Sequence, residues 1–323
     1  MLVLTHCHVP ISVSTFLAAI LSQILCCVKA YSFIHLSILA AQQKGMVINM
    51  KPFLKWPGGK QWLINKYINL FPLKFNSYFE PFLGGASVFF ALQPEKAILS
   101  DINEEIINLY KVMRDYPEEL TKILITHNEK HSEKYYYEIR RQNSKDNISR
   151  AARTLYLNRM CFNGIYRVNQ KGEFNVPIGT KTNCIYDIDS FSNYSLILKS
   201  CEILINDFSV PIQLAKTNDL LFADPPYTSS IQDGCFIKYN DKLFSWDDQL
   251  RLHKDLCLAK AKGVHVILTN KDNQEIEDLY KNSGFFIMRM HRQSCIKAKK
   301  ETTKTVSELF ITSYDPSKEQ KNG

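Results

Sequence analysis

The sequence has few glycines and prolines, the residues in which collagen-like and disordered chains are rich. Only 12 of its 323 residues are glycine and 12 are proline, and 45% are hydrophobic. This composition excludes a collagen-like chain and an intrinsically disordered one. The nine cysteines form no Cys-x-x-Cys pair and have no histidine at zinc-ligand spacing. We therefore expect reduced thiols and no metal site. The length predicts two domains, or one domain with an inserted lobe.

Acidic residues are absent from the first fifty positions, and Leu2–Val28 has no charged side chain at all. A run of about 20 apolar residues is enough to span a bilayer. Four interpretations of this segment are possible. It is a membrane span, a signal peptide without the usual leading positive charge, an additional soluble helix, or the product of a start codon placed upstream of the true start at Met46 or Met50. We favour this fourth interpretation and expect no membrane association.

Positive charge is in modest excess over negative charge. Lysine and arginine number 40 against 32 aspartates and glutamates, a formal net charge of +8. Because residues 1–50 contribute only Lys29 and Lys44, most of the excess lies in the globular part. This charge is compatible with an anionic partner such as nucleic acid, but it does not establish one.

The hydrophobic pattern from residue 51 onwards predicts an α/β sheet. The first part of this sheet has the layout of a nucleotide-binding unit. It consists of a short strand over 78–82, a turn at Gly84-Gly85, a helix capped by Ser87, a strand over 97–100 and then Asp101. Residues 117–198 are polar and helical, with three helices over 118–159. The alternation of strands and helices then returns. It ends in a strand pair, 285–290 and 306–313, which need not be parallel. We predict an N-terminal extension (1–50), a sheet domain in two halves (51–116 and 201–315), an inserted helical lobe (117–200) and a polar tail (316–323).

The strongest chemical signal is Asp224-Pro225-Pro226-Tyr227, which follows the apolar stretch Leu220–Ala223. Ligands bind at the carboxyl ends of strands in open α/β sheets. The prolines hold the turn rigid, Asp224 is an acceptor beside a backbone carbonyl, and Tyr227 offers a flat face for stacking. This set suits an exocyclic amino group on a planar heterocycle. A proline-stiffened turn with a helix-capping aspartate is the alternative.

Together with four other segments, Asp224–Tyr227 resembles the motifs of the Dam-type (D12 class) DNA adenine N6-methyltransferases. The resemblance runs from Pro52 to about Tyr314. Asp224–Tyr227 is similar to the catalytic DPPY motif. The other matching segments are Phe53–Lys60 and Phe79–Ser87 (cofactor motifs), Asp101-Ile102-Asn103 (the acid after the second strand), and Leu157-Asn158-Arg159, Asn163-Gly164, Arg167, Asn169 and Gly172–Gly179 (the target-recognition segment).

The resemblance implies a Rossmann-like S-adenosylmethionine-dependent methyltransferase sheet whose inserted helical lobe recognises the target. Gly84 would let the backbone approach the ligand closely, and Asp101 would accept hydrogen bonds from ribose hydroxyls, or cap the next helix. Gly58-Gly59-Lys60 is no P-loop, because Gln61 follows the lysine. The residues implied to bind S-adenosylmethionine are Trp56, Lys60 (with an acid or the methionine carboxylate), Glu80, Pro81, Phe82, Gly84, Asp101 and Asp224.

The implied reaction is a direct methyl transfer to adenine N6. The adenine would be flipped out of the duplex and stacked on Tyr227, with its amino hydrogens bonded to Asp224 and the Pro225 carbonyl. The catalytic residues would be Asp224, Pro225, Pro226 and Tyr227. The methyl group must lie in line with the amine at near-attack distance.

The DNA contacts implied by the resemblance lie in the inserted lobe. They are Arg159, Asn163, Arg167, Asn169 and Lys171. Arginine suits guanine and asparagine suits adenine in the major groove. Further basic side chains are candidates for phosphate contacts, or form a solvated charged face. They are Arg140, Arg141, Lys145, Arg150 and Arg153, and those in the stretch 291–304.

We therefore expect a site-specific, adenine-specific DNA methyltransferase that acts on double-stranded DNA as a cytoplasmic monomer without a metal. A GATC-like site is implied by the resemblance. Cytosine N4 methylation and a non-catalytic DNA-binding relative are the alternatives. Whether the methylation protects DNA from a restriction enzyme stays open.

Overall fold

The computed structural model describes residues 50–169, 171–186, 190–228, 244–293 and 305–319. The apolar segment 2–28, and with it the choice among its four interpretations, lies outside these ranges. None of the helices within them is both long and apolar enough to cross a membrane.

A seven-stranded sheet forms the centre of the protein, with the strand order β3-β2-β1-β4-β5-β7-β6. The first five strands are parallel, whereas β7 runs antiparallel to both β5 and β6. The final strand pair, which the sequence left free to depart from the parallel arrangement, is antiparallel. The strands are β1 (Tyr78–Glu80), β2 (Ala97–Asp101), β3 (Cys201–Ile205), β4 (Leu220–Ala223), β5 (His265–Lys271), β6 (Phe286–Gln293) and β7 (Thr305–Thr312).

Helices flank the sheet, and those between β2 and β3 make up the inserted part. Three helices cover residues 117–160, as the sequence predicts. The α-helices within the described ranges are α1 (Gln61–Tyr67), α2 (Ser87–Leu92), α3 (Glu104–Asp115), α4 (Pro117–Glu129), α5 (Glu133–Arg141), α6 (Asn147–Met160), α7 (Phe191–Leu198), α8 (Ser209–Leu214), α9 (Trp246–Ala261), α10 (Gln274–Lys281) and α11 (Pro316–Glu319).

Two of the predicted helix caps are replaced by neighbouring residues. Ser87 is the first residue of α2, and the residue before it, Ala86, is left-handed with φ of 52°. At α3 the cap is Asn103, whose side-chain oxygen accepts hydrogen bonds from the amides of Glu105 and Ile106. Asp101 therefore stays at the end of β2, with its carboxylate directed at other backbone amides.

Both faces of the sheet are buried, as parallel sheets require. Side chains alternate between two apolar clusters: Leu220 and Phe222 of β4 point to one, and Leu221 and Ala223 to the other. The first cluster extends into the inserted helices, and the second is covered by α8, α9 and α10. The strand order reverses between β1 and β4, which opens a crevice at their carboxyl ends where ligands bind in such sheets.

Candidate active site

Asp224 lies immediately after β4 and is held on both carboxylate oxygens. Its Oδ1 accepts a hydrogen bond of 2.7 Å from the hydroxyl of Thr269 on β5. Its Oδ2 lies 2.8 Å from Nζ of Lys60, and the side chain is 19% exposed. Asp224 is thus fixed by the neighbouring strand and by the residue before α1, yet still reachable from the crevice.

Lys60 is almost fully buried at the centre of this cluster. Its Nζ donates to the carbonyl oxygen of Gly58 at 2.7 Å and to the hydroxyl of Tyr227 at 3.1 Å. It also lies 3.5 Å from Oε2 of Glu308. Of the two partners expected for Lys60, an acid or the methionine carboxylate, the structure shows the acid.

Glu308, a residue of β7 that is only 2% exposed, is a further member of the cluster that we did not predict from the sequence. Its Oε2 accepts a hydrogen bond of 2.7 Å from the Tyr227 hydroxyl, and its Oε1 forms an ion pair with Arg292 on β6. One signal was present: Glu308 is the single carboxylate in the chain's last predicted strand, next to the apolar residues 309–311. A buried charge needs a partner, but the sequence does not say which one.

Burial and neighbouring charges move the acidities of these groups in different directions. Burial raises the pKa of Asp224 above its usual value, although Lys60 and the Thr269 hydrogen bond oppose the rise. Burial also acts to raise the pKa of Glu308, but Lys60, Tyr227 and Arg292 outweigh it and hold that pKa below the usual value. Burial and the two carboxylates raise the pKa of Tyr227 well above 10.0. Tyr227 therefore remains a phenol that can donate its proton to Glu308.

Predicted cofactor residues meet at the carboxyl ends of β1 and β2. Asp101 accepts hydrogen bonds from the amides of Gly84 at 3.0 Å and Asn103 at 2.9 Å. Each carboxylate oxygen keeps a further acceptor position. Phe82 is half-buried and stacks on Phe208 with 5.4 Å between ring centroids, next to the buried Pro81.

Glu80, at the end of β1, is buried and accepts a hydrogen bond of 2.9 Å from the hydroxyl of Tyr78. Burial raises the pKa of this carboxyl well above its usual value, more than the hydrogen bond lowers it. Burial therefore disfavours the charged form of this carboxyl.

Gly84 is required by a close contact within the protein. It has φ of +45°, and an added Cβ would lie 2.6 Å from Cδ1 of Trp56. The indole of Trp56 therefore packs directly on the Gly84-Gly85 turn. This contact places the first cofactor motif, Phe53–Lys60, against the second, Phe79–Ser87.

Arg159 is not placed where DNA could contact it, which corrects our prediction for this residue. It is 3% exposed, and its guanidinium donates to the carbonyl oxygens of Phe53 and Cys184. The adjacent Asn158 exchanges two hydrogen bonds with the backbone of Lys55. These two residues of α6 therefore hold the Phe53–Lys60 segment in place.

The other predicted DNA-contacting residues lie on one exposed hairpin, residues 161–178. Backbone bridges join Cys161 to Ile178 and Val168 to Phe174. The residues of this group are Asn163, Arg167 and Lys171, which are exposed, and Asn169, which is half-buried. The hairpin also contacts the Phe53–Lys60 segment, since the rings of Tyr166 and Trp56 are 4.8 Å apart.

Two side chains of the hairpin are held by its own residues. Arg167 donates from Nε to the side-chain oxygen of Asn175 at 2.8 Å. Asn169 donates to Glu173 at 2.8 Å. Both contacts are exposed, so a DNA base could replace these partners at small cost.

Basic residues of the inserted helices are partly engaged inside the protein. Arg150 pairs with Glu104 and Glu105, and Arg153 donates to two backbone carbonyls. Arg141 and Lys145 are exposed. Most of the stretch 291–304 lies outside the described residues.

No cluster of histidine, cysteine, aspartate and glutamate that could hold a metal ion occurs in the part of the chain that the structure describes.

Comparison with known proteins identifies the family of this chain. The profile of the D12 class N6 adenine-specific DNA methyltransferases matches residues 56–296. A Type II methyltransferase of Lactococcus lactis subsp. cremoris is 38% identical over 277 residues, covering 83% of this chain and 96% of the relative. A DNA adenine methylase of Haemophilus influenzae is 33% identical, covering 80% of this chain and 92% of the relative. The chain belongs to the family of D12 class N6 adenine-specific DNA methyltransferases.

Proposed function

We propose that this DNA methyltransferase transfers the methyl group of S-adenosylmethionine to N6 of an adenine held by Asp224–Tyr227. The observation that carries this proposal is the placement of Asp224. Its carboxylate lies at the carboxyl end of β4, beside the switch point of the sheet, and is held by Thr269 and Lys60. Tyr227 is joined to the same cluster through its hydroxyl.

The residues at the carboxyl ends of β1 and β2 fit S-adenosylmethionine. Asp101 has acceptor capacity left for ribose hydroxyls, and the Gly84 backbone and the half-buried Phe82 ring would lie beside the bound cofactor. Glu80 and Pro81, at the end of β1, would lie beneath it. When bound, S-adenosylmethionine supplies an electrophilic methyl group on a sulfonium centre.

Asp224 and the Pro225 carbonyl would act on the adenine amine. The lone pair of this amine is delocalised into the ring, which makes N6 a weak nucleophile. Hydrogen bonds from the two amine hydrogens to Asp224 and Pro225 favour a tetrahedral nitrogen with a localised lone pair. Tyr227 would stack on the base, while Lys60 keeps Asp224 ionised. The amine is itself the nucleophile, so the chain needs no nucleophilic side chain.

A base inside a duplex cannot reach Asp224, and we therefore propose base flipping. The hairpin 161–178 would read the major groove, with Arg167 suited to guanine and Asn169 to adenine. Asn163 and Lys171 would contact the backbone. A GATC-like site is the specific proposal, by family analogy. We further propose that residues 117–200 form the target-recognition lobe, that residues 51–116 and 201–315 form the methyltransferase domain, and that the enzyme is a cytoplasmic monomer.

Transfer of tritiated methyl from S-adenosylmethionine to duplex DNA tests the proposal. Wild-type protein should label DNA, and nucleoside analysis should find N6-methyladenine rather than N4-methylcytosine. Asp224→Ala should abolish labelling, whereas Asp278→Ala, an exposed aspartate of α10, should not. If wild-type protein binds the cofactor but labels no DNA of any sequence, the proposed reaction is incorrect.

Mapping methylated adenines in cells that express the protein would identify the recognition site. GATC should be methylated at most of its occurrences. Three of the relatives are named Type II methyltransferases, and we propose by analogy that methylation here can protect DNA from a paired endonuclease.

A further inference from the structure

We propose that Glu308 is a positioning residue for methyl transfer: it holds Lys60 and Tyr227 so that Asp224 keeps an acceptor position for the substrate amine. This inference rests on the function proposed above. Glu308 is too deeply buried to touch the substrate itself, so it acts through the two side chains that it contacts.

The contacts of Glu308 lead from the sheet edge to the catalytic carboxylate. Oε1 is held by Arg292 on β6. Oε2 accepts from the Tyr227 hydroxyl at 2.7 Å and lies 3.5 Å from Nζ of Lys60. Since Nζ also lies 2.8 Å from Asp224, the Lys60 ammonium is shared between two carboxylates.

Sharing of the ammonium has a direct consequence for Asp224. Glu308 is the second carboxylate within ion-pair distance of Lys60 in the described ranges. Without its charge, the ammonium would pair with Asp224 alone, and the attraction between two opposite charges is strong where water is excluded. The Asp224 oxygen would then be a poorer acceptor for the amine hydrogen.

The hydrogen bond from Tyr227 has a second consequence. The Tyr227 hydroxyl receives a hydrogen bond from Lys60 at 3.1 Å and donates its own proton to Glu308. These two contacts fix the direction of the phenol ring, the face on which the base would stack. A ring held in one orientation contributes to placing the amine at near-attack distance.

A buried ion-pair network can also be purely structural, so the test must separate the two roles. The charged and titratable groups around Glu308 are Lys60 from the segment before α1, Tyr227 and Asp224 from the segment after β4, Arg292 from β6, and Lys271, opposite Glu308 in register on β5. The negative charge of Glu308 disfavours ionisation of Asp224. Removing that charge should therefore make Asp224 easier to ionise.

The test compares Glu308→Gln and Glu308→Asp with wild type in steady-state methyl transfer. For Glu308→Gln we expect kcat to fall by about 10- to 100-fold, the range that small misplacements at an active site cost, with KM for S-adenosylmethionine little changed. The acid limb of the kcat–pH profile should move to lower pH. Glu308→Asp keeps the charge, and we expect it to restore part of kcat and the wild-type acid limb.

Glu277→Gln is the matched control. Glu277 pairs with Arg289 on the same strand, β6, that carries Arg292. Loss of this ion pair should at most lower thermal stability. The value of kcat and the acid limb of the kcat–pH profile should stay unchanged. Wild-type kcat in Glu308→Gln would overturn the proposal. So would a loss of kcat and stability with an unmoved acid limb, which is the signature of a structural role.

Tyr227→Phe covers the case in which Glu308→Gln does not fold. This variant keeps the ring and loses the hydrogen bond to Glu308. We expect a loss of kcat by about 10-fold, and full activity would overturn the proposal. If wild-type protein itself transfers no methyl group, the proposed function fails; if wild type is active and the variants match it, only the role of Glu308 fails.

Discussion

At the level of single residues, the site depends on the close packing of three charged side chains, Lys60, Asp224 and Glu308, around the Tyr227 hydroxyl. Lys60 and Tyr227 are separated by 167 positions in the chain, and Tyr227 and Glu308 by 81. Motif resemblance identified Lys60, Asp224 and Tyr227, because each lies in a recognisable segment. It could not identify Glu308, whose role depends only on which side chains the fold brings next to it.

The pH dependence of catalysis should report on Asp224. Burial raises the pKa of this carboxyl above 3.8 and Lys60 opposes the rise. Protonation removes the acceptor charge, so kcat should fall as the pH drops through the raised value. Lys60→Gln removes the opposing cation and should move this acid limb to higher pH. The measurement is kcat against pH for both proteins.

Lys66→Gln is the control for that measurement, because Lys66 lies exposed at the end of α1. Its acid limb should coincide with that of wild type. An acid limb that stays in place or moves to lower pH in Lys60→Gln would show that Lys60 does not stabilise the Asp224 carboxylate.

Gly84→Ala should destabilise the protein. The added Cβ would lie 2.6 Å from the Trp56 ring, at a φ of +45°. We expect a loss of about 1–3 kcal/mol in the free energy of unfolding, measured by urea denaturation. Gly172→Ala is the control, since its φ is +78° but nothing lies within 4 Å; it should lose only about 1 kcal/mol. Equal losses would mean that contact with Trp56 is unimportant.

At the scale of elements, helix α6 has a different role from the one that resemblance suggested. The segment Leu157-Asn158-Arg159 belongs to the target-recognition motifs by resemblance. In the fold, its polar side chains bond to the backbone of Phe53 and Lys55. Sequence alone could not reveal this, because an arginine near an exposed loop can equally contact phosphate or cap buried carbonyls.

Replacing Arg159 should therefore affect stability rather than DNA affinity. Arg159→Lys cannot keep both contacts, to the carbonyls of Phe53 and Cys184. Hydrogen bonds to charged groups contribute about 1.5–3 kcal/mol each, and we expect a loss of that order in the free energy of unfolding. The DNA dissociation constant of the folded variant should match that of wild type.

Arg141→Ala, at the exposed end of α5, is the stability control for Arg159→Lys and should unfold like wild type. Weakened DNA binding by a fully stable Arg159→Lys protein would restore the DNA-contacting role.

At the scale of the whole molecule, the net charge of +8 becomes informative once burial is known. Several arginines of the inserted helices are paired with glutamates or backbone carbonyls. The two cations of hairpin 161–178, Arg167 and Lys171, are exposed, and the contact of Arg167 with Asn175 is exposed as well. The charge that attracts DNA should therefore come from exposed cations, such as Arg141, Lys145, Arg167 and Lys171, rather than from Arg150 and Arg153.

The salt dependence of DNA binding should count those positions. The logarithm of the association constant falls with the logarithm of salt concentration by about 0.9 per phosphate contact. Lys171→Ala should reduce this slope by about 1, measured by fluorescence anisotropy on duplex DNA. Lys281→Ala is the control and should leave the slope unchanged. Lys281 lies in the last turn of α10, a helix that packs on the second apolar cluster of the sheet. An equal slope in Lys171→Ala would remove that residue from the phosphate contacts.

The family, the alternation of strands and helices, the helical region between the two halves of the sheet and the Asp224–Tyr227 motif could all be recognised in the sequence. These follow from local patterns: apolar periodicity, turn residues and short motifs. Three features became evident only in the folded protein: Asn103 rather than Asp101 caps α3, Arg159 is buried, and Glu308 contacts Lys60 and Tyr227. The physical reason is that these outcomes depend on contacts between residues far apart in the chain, set by the insertion of β7 next to β5 and by the packing of α6 on the Phe53–Lys60 segment.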